Sequence, residues 1–318
     1  MISMDKHPLL ISVVVCTYDR PSVLDRAVRS LVAQTLDVSR YEVIVVDNGS
    51  PAATQAVVRR LQEENPRVRL VLIEEPRQGL SYARNAGTHL ACGRYVAFLD
   101  DDAEAPPEWL QTIAETIEAY HERPTAIGGP IVPLYEAPKP AWFKDEYETR
   151  THGPTERLLH RGETFSGSNM VFDKCALERS GGFAVHLGMR GNQLSVGEET
   201  DLQWRMQHDS EHATVFLYSP AIWVRHSVPA SKMTVSYRLS RTMVAGHVAA
   251  LAASPSVVAV ARASASLIVG AASVGWDCVL RRSRYACFEN WAVEALGPLA
   301  GKTGWLVGCL RLPLRVQR

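Results

Sequence analysis

The chain has 318 residues, of which 46% are hydrophobic and 21% charged, and its 34 Lys and Arg balance 34 Asp and Glu. These proportions exclude a disordered or collagen-like chain, and zero net charge excludes a strongly basic nucleic-acid binder. The zero conceals a split: residues 1–226 carry 23 basic and 31 acidic groups (net −8), and residues 227–318 carry 11 and 3 (net +8).

Taken in chain order, Leu9 to Cys16 is apolar and β-branched, and Pro21 opens a stretch in which Val23, Ala27, Leu31 and Val32 recur at helical spacing. The alternation continues with a strand at Glu42–Val46, a helix at Pro51–Glu64, a strand at Val68–Ile73, a helix at Leu80–Ala91 and a strand at Tyr95–Leu99. Such alternation predicts an α/β fold, a Rossmann-like, mostly parallel sheet flanked by helices, with ligands bound beyond the C-terminal strand ends. Polar clusters stand at those ends: Thr17-Tyr18-Asp19-Arg20, Asp47-Asn48-Gly49-Ser50 and Asp100-Asp101-Asp102.

A helix at Trp109–Tyr120 and a strand at Ala126–Val132 follow, and then Pro133, Pro138, Pro140 and Pro154 mark a long loop facing the site. A helix from Lys174 is ended by Gly181-Gly182, and another runs from Glu198 to His208. From Ser231 the sequence is Ala-rich, helical and basic. The expected domains are residues 1–230, with halves at about 9–132 and 133–230, and a helical C-terminal region at 231–318.

The six cysteines, at 16, 92, 175, 278, 287 and 309, contain no Cys-x-x-Cys pair and no metal-ligand spacing. They read as reduced, mostly buried thiols. The first eight residues carry no signal-peptide cleavage pattern, so a cytoplasmic location is expected.

The chemistry-bearing residues come in clusters. Three adjacent carboxylates, Asp100 to Asp102, repel one another at the end of a core strand, and a bound Mg2+ or Mn2+ would relieve them. A solvated acidic turn is the alternative. The acidic run Glu198-Glu199-Thr200-Asp201 opens a helix, where carboxylates are favoured by the helix dipole alone or serve as a general base. Asp47 is either a turn residue or an acceptor for a nucleobase N–H. Arg84 suits a carboxylate or a diphosphate. His226 follows an apolar run and becomes a ligand candidate only if folding brings it beside Asp102.

These segments, in this order, resemble glycosyltransferase family 2, whose members have the GT-A fold. The resemblance is carried by Ile11–Arg20, Val45–Ser50, Gly79–Gly87, Phe98–Asp102 and Gly197–Leu202, within about residues 9–245. It implies an inverting transfer of a sugar from a nucleoside-diphosphate sugar, UDP foremost with GDP or dTDP as alternatives, to an acceptor hydroxyl. It also implies that Thr17, Tyr18 and Asp47 contact the nucleoside, that Arg84 lies near the base or diphosphate, and that Asp100 binds ribose. Asp102 matches the metal-binding carboxylate of the Asp-x-Asp motif, Asp101 its variable middle position, and His226 a histidine that approaches the metal. Glu199 aligns with the catalytic base, here Glu where Asp is usual, which leaves Glu199 and Asp201 as competing candidates. Cys16 stands where many members have Pro.

A non-catalytic nucleotide-sugar-binding protein and a nucleotidyltransferase are the other classes considered. The first would lack the metal carboxylate or the base. The second normally has a Gly-rich phosphate loop, and Cys16 to Pro21 contains no glycine. Trp142, Phe143, His186 and Arg190 are candidates for lining an acceptor pocket or for covering the core. The basic C-terminal region reads as a packed helical hairpin, with Ala263–Leu280 a poor membrane span, or as a peripheral contact with an anionic membrane face through Arg281, Arg282 and Arg284.

Overall fold

A computed structural model describes residues 9–120, 122–191, 196–209, 211–253, 256–280 and 285–310. These fall into two compact units. The first comprises residues up to Leu134, Glu148–His186 and Glu198–Ser227; the second comprises Tyr135–Tyr147, residues 187–197 and those from Val228 on.

The first unit begins with β1 (Ile11–Thr17), α1 (Pro21–Val32), β2 (Tyr41–Asp47), α2 (Ala52–Glu64), β3 (Leu70–Glu74), α3 (Leu80–Leu90) and β4 (Tyr95–Phe98). Strands β3, β2, β1 and β4 pair in parallel, in that order. Both faces of these strands are covered, so they read as continuous apolar runs. Ile11, Val13 and Val15 of β1 join one core with Leu24, Val28 and Leu31 of α1, while Val14 faces a second core with Ala83 of α3. In α1 the buried positions Leu24, Ala27, Val28 and Leu31 fall on one helical stripe, and Pro21 starts the helix where a missing N–H costs nothing.

The next elements are β5 (Ala103–Glu104), α4 (Trp109–Ala119), β6 (Ala126–Gly128) and β7 (Ile131–Tyr135). They are followed by β8 (Arg157–Leu158), β9 (Met170–Asp173), α5 (Lys174–Arg179), α6 (Glu198–Gln207), β10 (Phe216–Tyr218) and β11 (Val224–Val228). The main sheet continues β4-β9-β6-β10-β8, with β9 antiparallel to both β4 and β6. The expected mostly parallel sheet is present, with β9 inserted against its direction. A three-stranded sheet, β5-β11-β7, stands beside it.

The stretch expected as one strand, 126–132, is two strands in different sheets. Pro130 has no N–H to give a ladder, and Gly129 lies against the chain before β11, where a Cβ would fall 1.8 Å from the Ile222 carbonyl oxygen. Gly129→Ala is therefore expected to lower stability by about 2–3 kcal/mol, read from denaturant unfolding. Unchanged stability would show that the Ile222 backbone gives way. The proline-rich stretch expected as a loop holds the end of β7, a 3-10 turn at Asp145–Tyr147 and the short β8.

In the second unit, α7 (Val235–Ala253), α8 (Val257–Leu280) and α9 (Phe288–Cys309) follow one another. Helices α7 and α9 approach closely over glycines: a Cβ on Gly304 would lie 1.8 Å from the Met243 oxygen, and one on Gly246 would lie 2.0 Å from the Gly301 oxygen. Trp142 and Phe143 pack with Tyr135, Tyr147, Val228 and Met233 in a small aromatic core. Helix α8 lies against α9, where a Cβ on Gly270 would stand 2.7 Å from Leu299, and leaves its other side uncovered among the described residues. Ala259, Val260, Ala263, Ser264, Leu267, Gly270 and Val274 are half-buried, while the rest of the described turns are exposed and mainly apolar or small. Val257–Val274 has a mean hydropathy of 1.8, with none of it buried. A window that begins after Arg262 misses this stretch, because the apolar run continues through that single charge. Arg281, Arg282 and Arg284 lie outside the described residues.

Candidate active site

The strand ends converge as the alternation predicts. Strand β1 delivers Thr17, β2 delivers Asp47, and β4 leads through Leu99 into Asp100-Asp101-Asp102. Asp101 and Asp102 are each only 6% exposed, so their charges must be met by the protein or by a bound cation.

Protein groups meet much of that charge. Arg20 spans both carboxylates, with Nη1 2.8 Å from Asp101 Oδ1 and Nη2 2.8 Å from Asp102 Oδ2. Thr17 donates its hydroxyl to Asp101 Oδ2 at 2.8 Å. Asp100 accepts from Ser168 Oγ and stands 3.3 Å from Arg84 Nη2. His226, in β11 opposite Ala103 of β5, brings Nε2 to 3.1 Å from Asp102 Oδ1 and 4.0 Å from Asp100 Oδ2. Even so, burial and the charges of Asp102 and Asp100 hold the Asp101 carboxyl well above the usual range against the pull of Arg20 and Thr17. Burial disfavours the Arg20 guanidinium, yet Asp101 and Asp102 bind its proton more firmly.

The reach of Arg20 comes from the turn before α1. Asp19 takes φ +51°, a left-handed conformation that Asp tolerates, and its N–H donates to Ser50 Oγ at 2.9 Å. Asp47 is engaged locally, accepting from Ser50 N at 2.8 Å and Gln55 Nε2 at 3.0 Å. Asn48 clamps the neighbouring loop by accepting from Gly79 N at 2.7 Å and donating to the Glu75 and Arg77 carbonyls. Tyr18, half-buried, lies between Thr17 and the Asp19 turn. Burial pushes the neighbouring Cys16 thiol up to about 12.

Arg84, on α3 and 3% exposed, is the hub of the other side. Its Nη1 donates to Glu198 Oε1 at 2.7 Å, and its guanidinium lies over the Phe183 and Phe98 rings at 5.3 and 5.9 Å. Gly167 leaves room for it, since a Cβ there would stand 2.7 Å from Nη2. Glu198 and Glu199 open α6, and each has a buried Oε2 that no donor reaches. Asp201 faces elsewhere. It pairs with Arg205 at 2.9 Å, and Arg205 in turn donates to the Ser180 and Gly182 carbonyls.

The fold thus brings together Thr17, Asp100, Asp101, Asp102 and His226, links them through Arg84 to Glu198, and leaves Asp201 in a separate pairing. Three participants are not singled out by sequence. Arg20 is visible there only as a member of a polar cluster, Ser168 carries no signal, and Glu198 is indistinguishable from ordinary helix-start chemistry. Asp100, Asp102 and His226 each offer a ligand atom, all within 4.8 Å of one another. Two carboxylates and an imidazole form a mixed oxygen and nitrogen donor set of the kind that holds a divalent metal ion.

An α/β sheet with acidic groups gathered at its strand ends is the class of fold that binds ligands beyond the carboxyl ends of its strands. Within that class, the sequence profile of glycosyl transferase family 2 matches residues 12–179, more than half of the chain, and the protein belongs to that family. A glucosyl-dolichyl phosphate glucuronosyltransferase of Haloferax volcanii is 29% identical over 216 residues, 65% of this chain and 66% of its own. A mannosyltransferase of Pyrobaculum calidifontis, solved with GDP-Man and Mn2+, shares the fold with a TM-score of 0.63 at 20% identity, over 95% of this chain and 90% of that one. Staphylococcus aureus TarS with UDP-GlcNAc gives 0.55 at 18% identity, over 69% and 59%. The matched stretch thus spans 66% of the Haloferax protein and 59% of the TarS chain. The two solved structures establish a GT-A type fold here.

Proposed function

We propose that the protein is an inverting glycosyltransferase that moves a sugar from a nucleoside-diphosphate sugar, in the first instance a UDP-sugar, to an acceptor hydroxyl. Family membership and the GT-A type sheet support this reading. The observation that carries it is the joining, through Arg84, of the carboxylate and histidine cluster at the strand ends to the acidic start of α6.

In this reading Asp47, Thr17 and Tyr18 receive the nucleoside, and Asp100 receives the ribose. Arg84 holds Asp100 and Glu198 in register. Asp102, Asp100 and His226 would hold Mn2+ or Mg2+, which when bound would supply Lewis-acid neutralisation of the leaving diphosphate. Glu199 takes the proton of the acceptor hydroxyl as its oxygen attacks the anomeric carbon from the face opposite the diphosphate. The anomeric carbon to oxygen bond breaks with its electron pair passing to the diphosphate. Incubating purified protein with UDP-, GDP- and dTDP-sugars plus Mn2+ or Mg2+ is expected to release nucleoside diphosphate from one donor class. Release from none, with or without lipid-linked and soluble acceptors, overturns the reading.

The acceptor is assigned to a lipid surface. The exposed apolar face of α8 suits the interface of a bilayer, and its single Arg262 can extend its charge to headgroup level. Net +8 over residues 227–318 favours anionic lipid. The dolichyl phosphate in the name of the Haloferax protein points to the same kind of substrate. The full chain is expected to sediment with phosphatidylglycerol vesicles, less so at high salt, and more weakly with neutral phosphatidylcholine vesicles. No sedimentation with either vesicle at low ionic strength removes the assignment.

A further inference from the structure

The first turn of α6 holds two orphan atoms, Oε2 of Glu198 and Oε2 of Glu199, both buried and neither reached by a donor. A buried carboxylate oxygen without a donor loses its hydration and gains nothing in return, and two such oxygens on neighbouring residues also repel. Glu198 is 4% exposed, so bulk solvent scarcely reaches it. Arg84 does not relieve the pair either. One of its nitrogens is engaged by Glu198 Oε1, the other stands 3.3 Å from Asp100, and the one guanidinium is divided among the charges of Glu198, Asp100 and Glu199.

A single proton satisfies both orphans. The Glu199 carboxyl lies within hydrogen-bonding reach of Glu198. We infer that Glu198 and Glu199 share one proton, with Glu198 the neutral acid whose Oε2–H donates to Glu199 Oε2, so that Glu198 is a positioning residue for the base. This rests on Glu199 being the base of the proposed transfer. The hydrogen bond fixes the Glu199 carboxylate by one oxygen and leaves Oε1 for the acceptor hydroxyl. Because Glu198 Oε1 also accepts from Arg84, the chain Asp100–Arg84–Glu198–Glu199 ties the donor side of the site to the base. The charged groups facing Glu198 are Glu199 on its own helix and Arg84 from α3, with Asp100 behind Arg84. Burial and the Glu199 charge push the Glu198 carboxyl well above the usual range, and Arg84, shared with Asp100, does not reverse them.

The sign of the pH dependence follows. A carboxyl that stays protonated in the folded chain and ionises in the unfolded chain favours folding less as pH rises from the ordinary carboxylate range through its raised folded value. Glu198→Gln reproduces the neutral acid, with an oxygen for Arg84 and an N–H for Glu199, so it should remove that part of the falling stability. Infrared difference spectra of wild type against E198Q at neutral pH should show one protonated carboxylic acid band that the variant lacks. Turnover should fall about 100-fold in E198A and be restored to within about tenfold by E198Q, whose pH–rate profile lacks the wild-type alkaline limb.

Loss of turnover in E198Q equal to that in E198A, with no acid band in wild type, makes Glu198 an ionised partner of Arg84 and overturns the shared proton. If E198Q folds poorly, wild type labelled with 13C-glutamate still reads the band at neutral pH, and its absence likewise overturns the shared proton. If wild type turns over no sugar donor, the proposed function fails while the infrared and stability measurements still decide the proton.

Discussion

Asp102→Asn is expected to lower donor turnover by about 10²–10³ and to abolish its dependence on Mn2+ or Mg2+. Asn keeps the shape of the side chain and removes the charge, so the effect isolates electrostatics from packing. Asp102 is 6% exposed and offers Oδ2 to Arg20 and Oδ1 to His226. In the variant Arg20 retains Asp101 at 2.8 Å, and the strand end stays tethered through Thr17, so the fold should survive. The metal site would retain only Asp100 and His226, one carboxylate and one imidazole, too weak a set to hold a hard dication against its hydration. The measurement is nucleoside diphosphate release across a Mn2+ titration, with direct Mn2+ binding followed in parallel. Wild-type turnover by D102N would remove Asp102 from the chemistry.

Glu199→Gln is expected to lower transfer by about 10²–10⁴, the range of a lost general base, with little change in donor KM because Glu199 acts on the acceptor. Asp201→Asn is the matched control. Asp201 is committed to Arg205 at 2.9 Å, and Arg205 is committed to two carbonyls at the end of α5, so its neutralisation should cost under about threefold in rate and less than ~1 kcal/mol in stability. Transfer surviving in E199Q and lost in D201N would reverse the assignment. The two candidates, two residues apart in sequence, are separated here by their partners: one has an orphan oxygen, the other a guanidinium.

Much of the fold is legible in the sequence because its signals are local. The apolar runs of β1 and β2, the stripe in α1 and the paired glycines after α5 each depend on neighbours within a few residues. The direction of β9 is not legible, since a short strand such as Met170–Asp173 with its capping end looks alike in either direction. The break at Gly129-Pro130 is legible only in part, since Pro130 lacks a ladder N–H locally while the Ile222 carbonyl against Gly129 lies far along the chain. The uncovered face of helix α8 is not legible for a different reason: composition shows how apolar a helix is, and only packing shows which face is left uncovered.

The sequence by itself determined that acidic groups stand at the ends of core strands and at the start of a helix, that the last quarter of the chain is basic, and that the five motifs match one family. Only the tertiary structure decided how those acids are satisfied. Ser168 meets Asp100 across 68 residues of chain, and Glu198 meets Arg84 across 114. Electrostatic neutralisation of a buried charge requires partners within about 4 Å, where the low local dielectric makes the interaction strong, and sequence separation carries no information about that distance. For the same reason the triple aspartate alone could not tell a cation site from an arginine-bridged turn. In the folded chain Arg20 bridges Asp101 and Asp102, and ligand atoms of Asp100, Asp102 and His226 lie within 4.8 Å of one another.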